Sequence, residues 1–178
     1  DMLRIASEKA RRAALKIPFV EQDMRKLALH RPQDAIICAC DGVNYLDSLK
    51  AAEEFFEAAN AALKVGGLLL FDISSQYKLE NILGCNTFAE DEQGGAYIWK
   101  NNYDPKSRLI EMELTFFERQ GGLYRRFTER HIQRAHGVDE LLSALNRAGF
   151  DAEAYDFETM DPVKPDSERV QFSGRKRR

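Results

Sequence analysis

Cysteine is scarce and shows no pairing pattern. Cys38, Cys40 and Cys85 form no CxxC and no ligand-like spacing, which argues against a disulfide framework or a structural zinc site. It favours a reducing cytoplasm instead. No apolar run approaches the roughly 20 residues of a membrane span, and the amino end reads as a charged amphipathic helix, not a secretory signal. Neither sign of charge dominates: 26 Lys and Arg against 29 Asp and Glu leave a net charge of -3. Such a balance builds no field that would draw in nucleic acid or an anionic membrane, and the short basic run Gly174–Arg178 reads as a solvated tail. The glycines form no G-x-G-x-x-G fingerprint, and no Tyr-x-x-x-Lys pair occurs, so nothing marks a nucleotide-dependent oxidoreductase. The expectation is a cytoplasmic protein that holds no metal and acts on neither nucleic acid nor membrane.

What is present suits one domain: 178 residues, 44% hydrophobic and 31% charged. Residues 1–16 place Leu3, Ile5, Ala6, Ala10, Ala13 and Ala14 near helical spacing. "IPFVEQD" reads as a short strand ending at Asp23, and "DAIICAC" as an apolar strand followed by the polar loop "DGVNYLDS". "LKAAEEFFEAANAALK" carries an apolar stripe, with Asp47 or Ser48 as its cap and Gly66 as its stop. The almost purely apolar Leu68–Ile73 follows, expected to be buried on both faces of a parallel sheet, then a short helix around 77–83. Strand, helix and parallel strand make a crossover unit of a doubly wound sheet.

After Asn86 the texture changes. "AYIWKNNYD", "RLIEMELTFFER" and "LYRRFTERHIQR" are strand-like runs separated by "PKS" and "QGG", an antiparallel meander. Alternation puts Ile110, Met112, Leu114 and Phe116 on one face, and Phe127, Glu129 and His131 on one face of the last strand. The α/β pattern resumes with the helix "VDELLSALNRAG" and the strands "DAEAYDF" and "RVQFSGRK".

Taken in order, these pieces resemble the class I S-adenosylmethionine-dependent methyltransferases, of the small-molecule type with an antiparallel insert after the fifth strand. "FVEQDMRKL" is similar to that family's adenine-holding segment, "DAIICACDGVNYL" to its fourth strand and following loop, and "LKVGGLLLFDI" to its helix, Gly-Gly turn and fifth strand. Val65 stands where the family usually has proline. "ERHIQRAHGVDELLSALNRAGFDAEAYD" is similar to its last meander strand, helix and sixth strand. The family's glycine-rich turn and ribose-holding acid would lie before Asp1.

The resemblance implies an α/β fold: a partial doubly wound, Rossmann-like methyltransferase sheet with a β-meander insert. Residues 1–85 would be the later part of the cofactor-binding core, 86–135 the meander or lid, and 136–178 the final helix and strands. It implies S-adenosylmethionine as cofactor and a small-molecule acceptor. Asp23 and Met24 would hold the adenine, while Ala39, Cys40 and Asp41 would line the methionine arm. An alternative is a non-catalytic or incomplete methyltransferase-like fragment or partner subunit that binds no cofactor by itself.

Position alone leaves several roles open. Asp23 is as readily a turn or helix cap as a ligand for an exocyclic amine, and Asp72 either faces the cleft or caps the next helix. Asn44 and Tyr45 fall just past a strand end, where open α/β sheets place pocket residues. Tyr77 and Trp99 line an acceptor site or pack the meander on the sheet, and Arg130 is a candidate partner for an acceptor carboxylate. His131, beside Glu129, is the candidate general base if the acceptor must lose a proton. The meander face suits a lid or a homodimer contact.

Overall fold

Leu68–Ile73 lies at the heart of the first of two sheets in the computed structural model, which describes residues 1–178. That sheet contains β1 (Gln33–Cys38), β2 (Leu63–Ser74), β7 (Phe150–Asp156) and β8 (Arg169–Lys176) in the order β1-β2-β8-β7. β1 and β2 run parallel, joined through helix α2 (Leu49–Ala62), while β8 is antiparallel to both β2 and β7. Ser48 caps α2 by accepting from the Ala51 amide, which satisfies one of the amides that a helix start leaves unpaired.

The core follows from alternation. Leu69, Phe71 and Ile73 of β2 are fully buried beneath Phe55 and Phe56 of α2 and Leu141 and Leu145 of α3 (Val138–Arg147). Phe71 stacks on its cross-strand neighbour Phe172 at 4.7 Å between ring centroids, an aromatic pair that adds to simple area burial. Leu68 and Leu70, on the other face, are only half-buried. β2 is therefore covered fully on one face and partly on the other, which corrects the reading of a strand buried on both.

Gly66 is not the stop of α2. The helix ends at Ala62, and Leu63 is already extended and paired with Gln33. The register then shifts so that Ala35 meets Leu68, and the two glycines serve this bulge. Gly66 takes φ +78, and a Cβ on Gly67 would fall 2.9 Å from the Lys64 carbonyl oxygen, so both positions disfavour a side chain.

"IPFVEQD" is likewise not a strand. It runs without ladder partners into a 3₁₀ turn at Met24–Lys26, and β propensity without a partner strand makes no sheet. β1 is an edge strand of its sheet, and Ile37 on it is 70% exposed. α1 (Met2–Arg12) is shorter than expected and buries only Ala10.

The second sheet contains β3 (Thr87–Glu92), β4 (Gly95–Asp104), β5 (Leu109–Gln120) and β6 (Leu123–Arg134), antiparallel in that order. Its first strand, "TFAEDE", escaped the sequence reading because acidic residues are poor strand formers. The segment 78–83 is a π-helical turn whose Leu79 and Leu83 pack against Ile110, Met112 and Ala135 of the meander. No helix is long and apolar enough to cross a membrane.

Candidate active site

The chain turns sharply where β1 ends. Cys40 and Asp41 both adopt left-handed backbone, with φ of 61 and 50, a conformation costly for residues other than glycine and held only where surroundings enforce it. The enforcer is Asp72. Its buried carboxylate accepts from the Cys40 amide at 2.9 Å and the Asp41 amide at 3.0 Å, and it pairs with Arg169 of β8. Asp72 thus neither faces the cleft nor caps the next turn; Ser75 does the capping by accepting from the Lys78 amide. Because the Cys40 amide is committed to Asp72, the Cys40 backbone has only its carbonyl left for a ligand.

Asp41 of the turn, with Asn44 and Tyr45 after it, ties this loop to the meander. Asp41 accepts a 2.6 Å hydrogen bond from the Gln133 amide side chain. Asn44 is fully buried; it donates to the carbonyls of Ser74 and Arg134 and accepts from the Ser74 amide. Both of its amide hydrogens and its carbonyl are spent, so the expected substrate contact is corrected: Asn44 joins the two sheets and offers an acceptor nothing. Tyr45, by contrast, is half exposed, and its hydroxyl lies 2.9 Å from His131 Nδ1. His131 Nε2 in turn faces Glu129 Oε2 at 3.4 Å. With the acceptor Glu129 at Nε2, the network assigns the ring proton to that nitrogen, and Nδ1 accepts from Tyr45. Burial, with Asp41 and Glu129 nearby, pushes the Tyr45 phenol up, so Tyr45 holds its proton unless His131 takes it.

The other expected residues are dispersed. Arg130 has the opposite strand parity to His131 and pairs with Glu111 on the far face of the meander, which corrects its assignment to the acceptor site. Trp99 packs on Phe88 in the same cross-strand row as Glu129, and its indole N–H is buried without a partner. Tyr77 stands at the start of the π-helical turn, partly exposed. Cys38 is a packed thiol: burial first, then Asp72 and Asp41, push it up to about 11. Gln133 was missed, although it shares the parity of His131 and Glu129; Arg169, 97 positions from Asp72, had no sequence signal.

Asp23 caps the 3₁₀ turn by accepting from the Arg25 amide, and its carboxylate also pairs with the Arg25 guanidinium at 2.7 Å. That guanidinium holds the carboxyl down at about 2. Met24 packs its side chain toward the core beside Gly42, where a Cβ would sit 2.8 Å from the Cys38 sulfur. An acceptor at Asp23, followed by Met24 beside the glycine-opened loop after β1, is compatible with a nucleoside end at the carboxyl edge of the sheet.

A half-buried ionic latch around the buried His136 closes the base of the meander. Glu140 pairs with Arg108 and Arg134, Arg134 donates to His136 Nδ1, and His136 Nε2 donates to the Leu46 carbonyl at 2.8 Å. Burial, then the Arg134 charge, lowers His136 from 6.5 to about 4. The folded state therefore resists protonation that the unfolded chain accepts, and stability falls as pH drops from 6.5 towards 4. By linkage the loss is roughly 2 kcal/mol at pH 5. Thermal melts from pH 7 to 5 should show this slope, and His136→Gln, which keeps a donor for Leu46, should flatten it.

A parallel crossover, an antiparallel final strand inserted beside it, and polar groups gathered at the strand ends define a Rossmann-like α/β fold with an added meander. No protein-family model matches the chain. It is 32% identical over 179 residues to the Bacillus subtilis protein named "Putative methyltransferase YqeM", with 99% of this chain and 72% of that protein aligned. An S-adenosylmethionine-dependent methyltransferase from Clostridium acetobutylicum superposes with a TM-score of 0.94 at 31% identity, over 99% of this chain and 72% of that one. The sugar N-methyltransferase KedS8 from Streptoalloteichus shares the fold, with a TM-score of 0.74 at 20% identity, over 96% and 67% of the two chains. The chain belongs to the S-adenosylmethionine-dependent methyltransferases, and S-adenosylmethionine is its cofactor.

Proposed function

We propose that the protein methylates a small molecule whose nucleophile meets the Tyr45–His131–Glu129 array. The observation that carries this reading is the 2.9 Å contact between a half-exposed phenol on the core loop and a histidine on the meander. It sets an acid–base pair at the seam between the two sheets. Small-molecule acceptors also fit the likeness to KedS8, a sugar N-methyltransferase.

The cofactor supplies an electrophilic methyl group on a sulfonium centre, so the protein's main task is alignment. Asp23 and Met24 hold the adenine, with Arg25 sharing the Asp23 carboxylate. The Ala39 and Cys40 backbone and Asp41 line the arm that bears the methyl. Tyr45 receives the proton from the acceptor as it passes its own to His131 Nδ1, and Glu129 stabilises the resulting imidazolium. Trp99 and Tyr77 bound the acceptor side of the meander. Residues 1–85 and 136–178 then act as the core and 86–135 as its cover, working without a nucleic-acid or membrane partner, in the cytoplasm; a homodimer through the meander is compatible with this.

The binding half is tested by Asp23→Ala. Calorimetry should show S-adenosylhomocysteine affinity falling about tenfold or more, the size of a lost charged hydrogen bond, with the melting temperature little changed. Undiminished affinity removes Asp23 from the site.

A further inference from the structure

The cleft-facing side of the meander continues well beyond the catalytic seam. Cross-strand register lines up Glu90, Tyr97, Phe116 and Phe127 as one row across all four strands. The next row inward carries Phe88, Trp99, Leu114 and Glu129, and the one after it places His131 opposite Met112 and Asn101. Phe116 and Phe127 stack at 5.1 Å between centroids, and Tyr97 tilts against Phe116 at 6.4 Å. These three rings border a cavity of about 340 Å³, the low end of the range for small-molecule sites.

The rim of this cavity is acidic. Glu90, Glu92 and Glu118 line it, and no Lys or Arg does. Glu118 has Arg125 across the strand pair, whereas Glu90 and Glu92 stand opposite Tyr97 and Gly95, with no basic residue across from them. Burial, then the adjacent Glu90 carboxylate, pushes the Tyr97 phenol up, so the ring stays neutral. Gly95 lets β4 and β5 approach closely at the edge of the cavity; a Cβ there would fall 2.3 Å from the Phe117 carbonyl oxygen. An aromatic floor beneath two carboxylates complements a cation carried on an apolar body, because the ring faces and the carboxylates attract positive charge together. Phe127 and His131 are four residues apart on one strand face, which spans about 13 Å.

The geometry points to this cavity as a second subsite for the acceptor: it holds a cationic ammonium or guanidinium group at the far end of an elongated small molecule whose nucleophile lies at Tyr45 and His131. This deepens, and rests on, the small-molecule reading of the acceptor.

The probe is benzyltrimethylammonium, which has no nucleophile to methylate, titrated without cofactor while the emission of Trp99, the single tryptophan, is followed. Saturable change is expected in the roughly millimolar range, because ring faces and two carboxylates attract the cation together, weakening as salt rises. The double variant Glu90→Gln/Glu92→Gln should weaken binding about tenfold, Phe127→Ala should weaken it comparably, and phenylacetate should not compete. No saturable change, equal binding of phenylacetate, or undiminished binding by the carboxamide variant overturns the subsite. Methyl transfer is assayed separately with His131→Ala: normal turnover in that variant sinks the catalytic reading and leaves the probe result standing.

Discussion

Asp72→Ala is expected to lower the melting temperature by about 6–12 °C and to abolish measurable cofactor binding. The carboxylate is 3% exposed as a residue and satisfies three donors: the Cys40 amide, the Asp41 amide and the Arg169 side chain. Arg169 is over a third exposed and can regain water, so its share of the loss is small. The two amides belong to residues in left-handed backbone, and leaving each unpaired costs about 1–3 kcal/mol. A total near 3 kcal/mol corresponds to that temperature shift in a chain of this size. Function suffers more than stability, because the strained turn that Asp72 holds is the one that presents Cys40 and Asp41 at the end of β1. Asp72→Asn separates the effects: its single acceptor oxygen serves one amide, so it should melt between the wild type and the alanine variant. Differential scanning fluorimetry, paired with S-adenosylhomocysteine titration, reads both.

His131→Ala is expected to reduce turnover about a hundredfold, the lower range for loss of a positioned acid–base group, while leaving cofactor affinity intact. His131 touches Tyr45 and Glu129 but none of the residues assigned to the cofactor. Its removal leaves a phenol held protonated by burial with nowhere to pass its proton. Tyr45→Phe should fall by a similar factor, and the double variant should be little worse than either single one, as expected of groups that act as a unit. Additive losses, or weakened cofactor binding, would show that the two side chains merely brace the seam.

Much of this arrangement was legible in the residues. Apolar runs at 34–40 and 68–73 with an amphipathic helix between them announce the parallel crossover, although the same runs overstated the burial: β1 is an edge strand and β2 is fully covered on one face only. Alternation placed Phe127, Glu129 and His131 on one face, and their partners Phe116, Leu114 and Met112 stand directly across from them. The same parity separates Arg130 from His131, so that error came from neglecting a signal already present.

Other features had no local signal. β3 is acidic and exposed, and only its neighbour β4 makes it a strand. The roles of Asp72 and Asn44 depend on partners that the fold brings from 30 to 97 positions away, a distance over which no periodicity reports. The helix stop assigned to Gly66 failed because α2 ends directly in an extended residue; glycine was needed a few residues later, for the bulge.

The small-molecule acceptor is the central claim, and label transfer tests it most directly. Full-length protein is incubated with S-adenosylmethionine tritiated on the methyl group and a whole bacterial extract, and the low-molecular-weight fraction is then separated from protein and nucleic acid. The account predicts label in the small-molecule fraction with the wild-type protein, and loss of that label with Asp23→Ala and with His131→Ala. Label confined to protein or nucleic acid would contradict it.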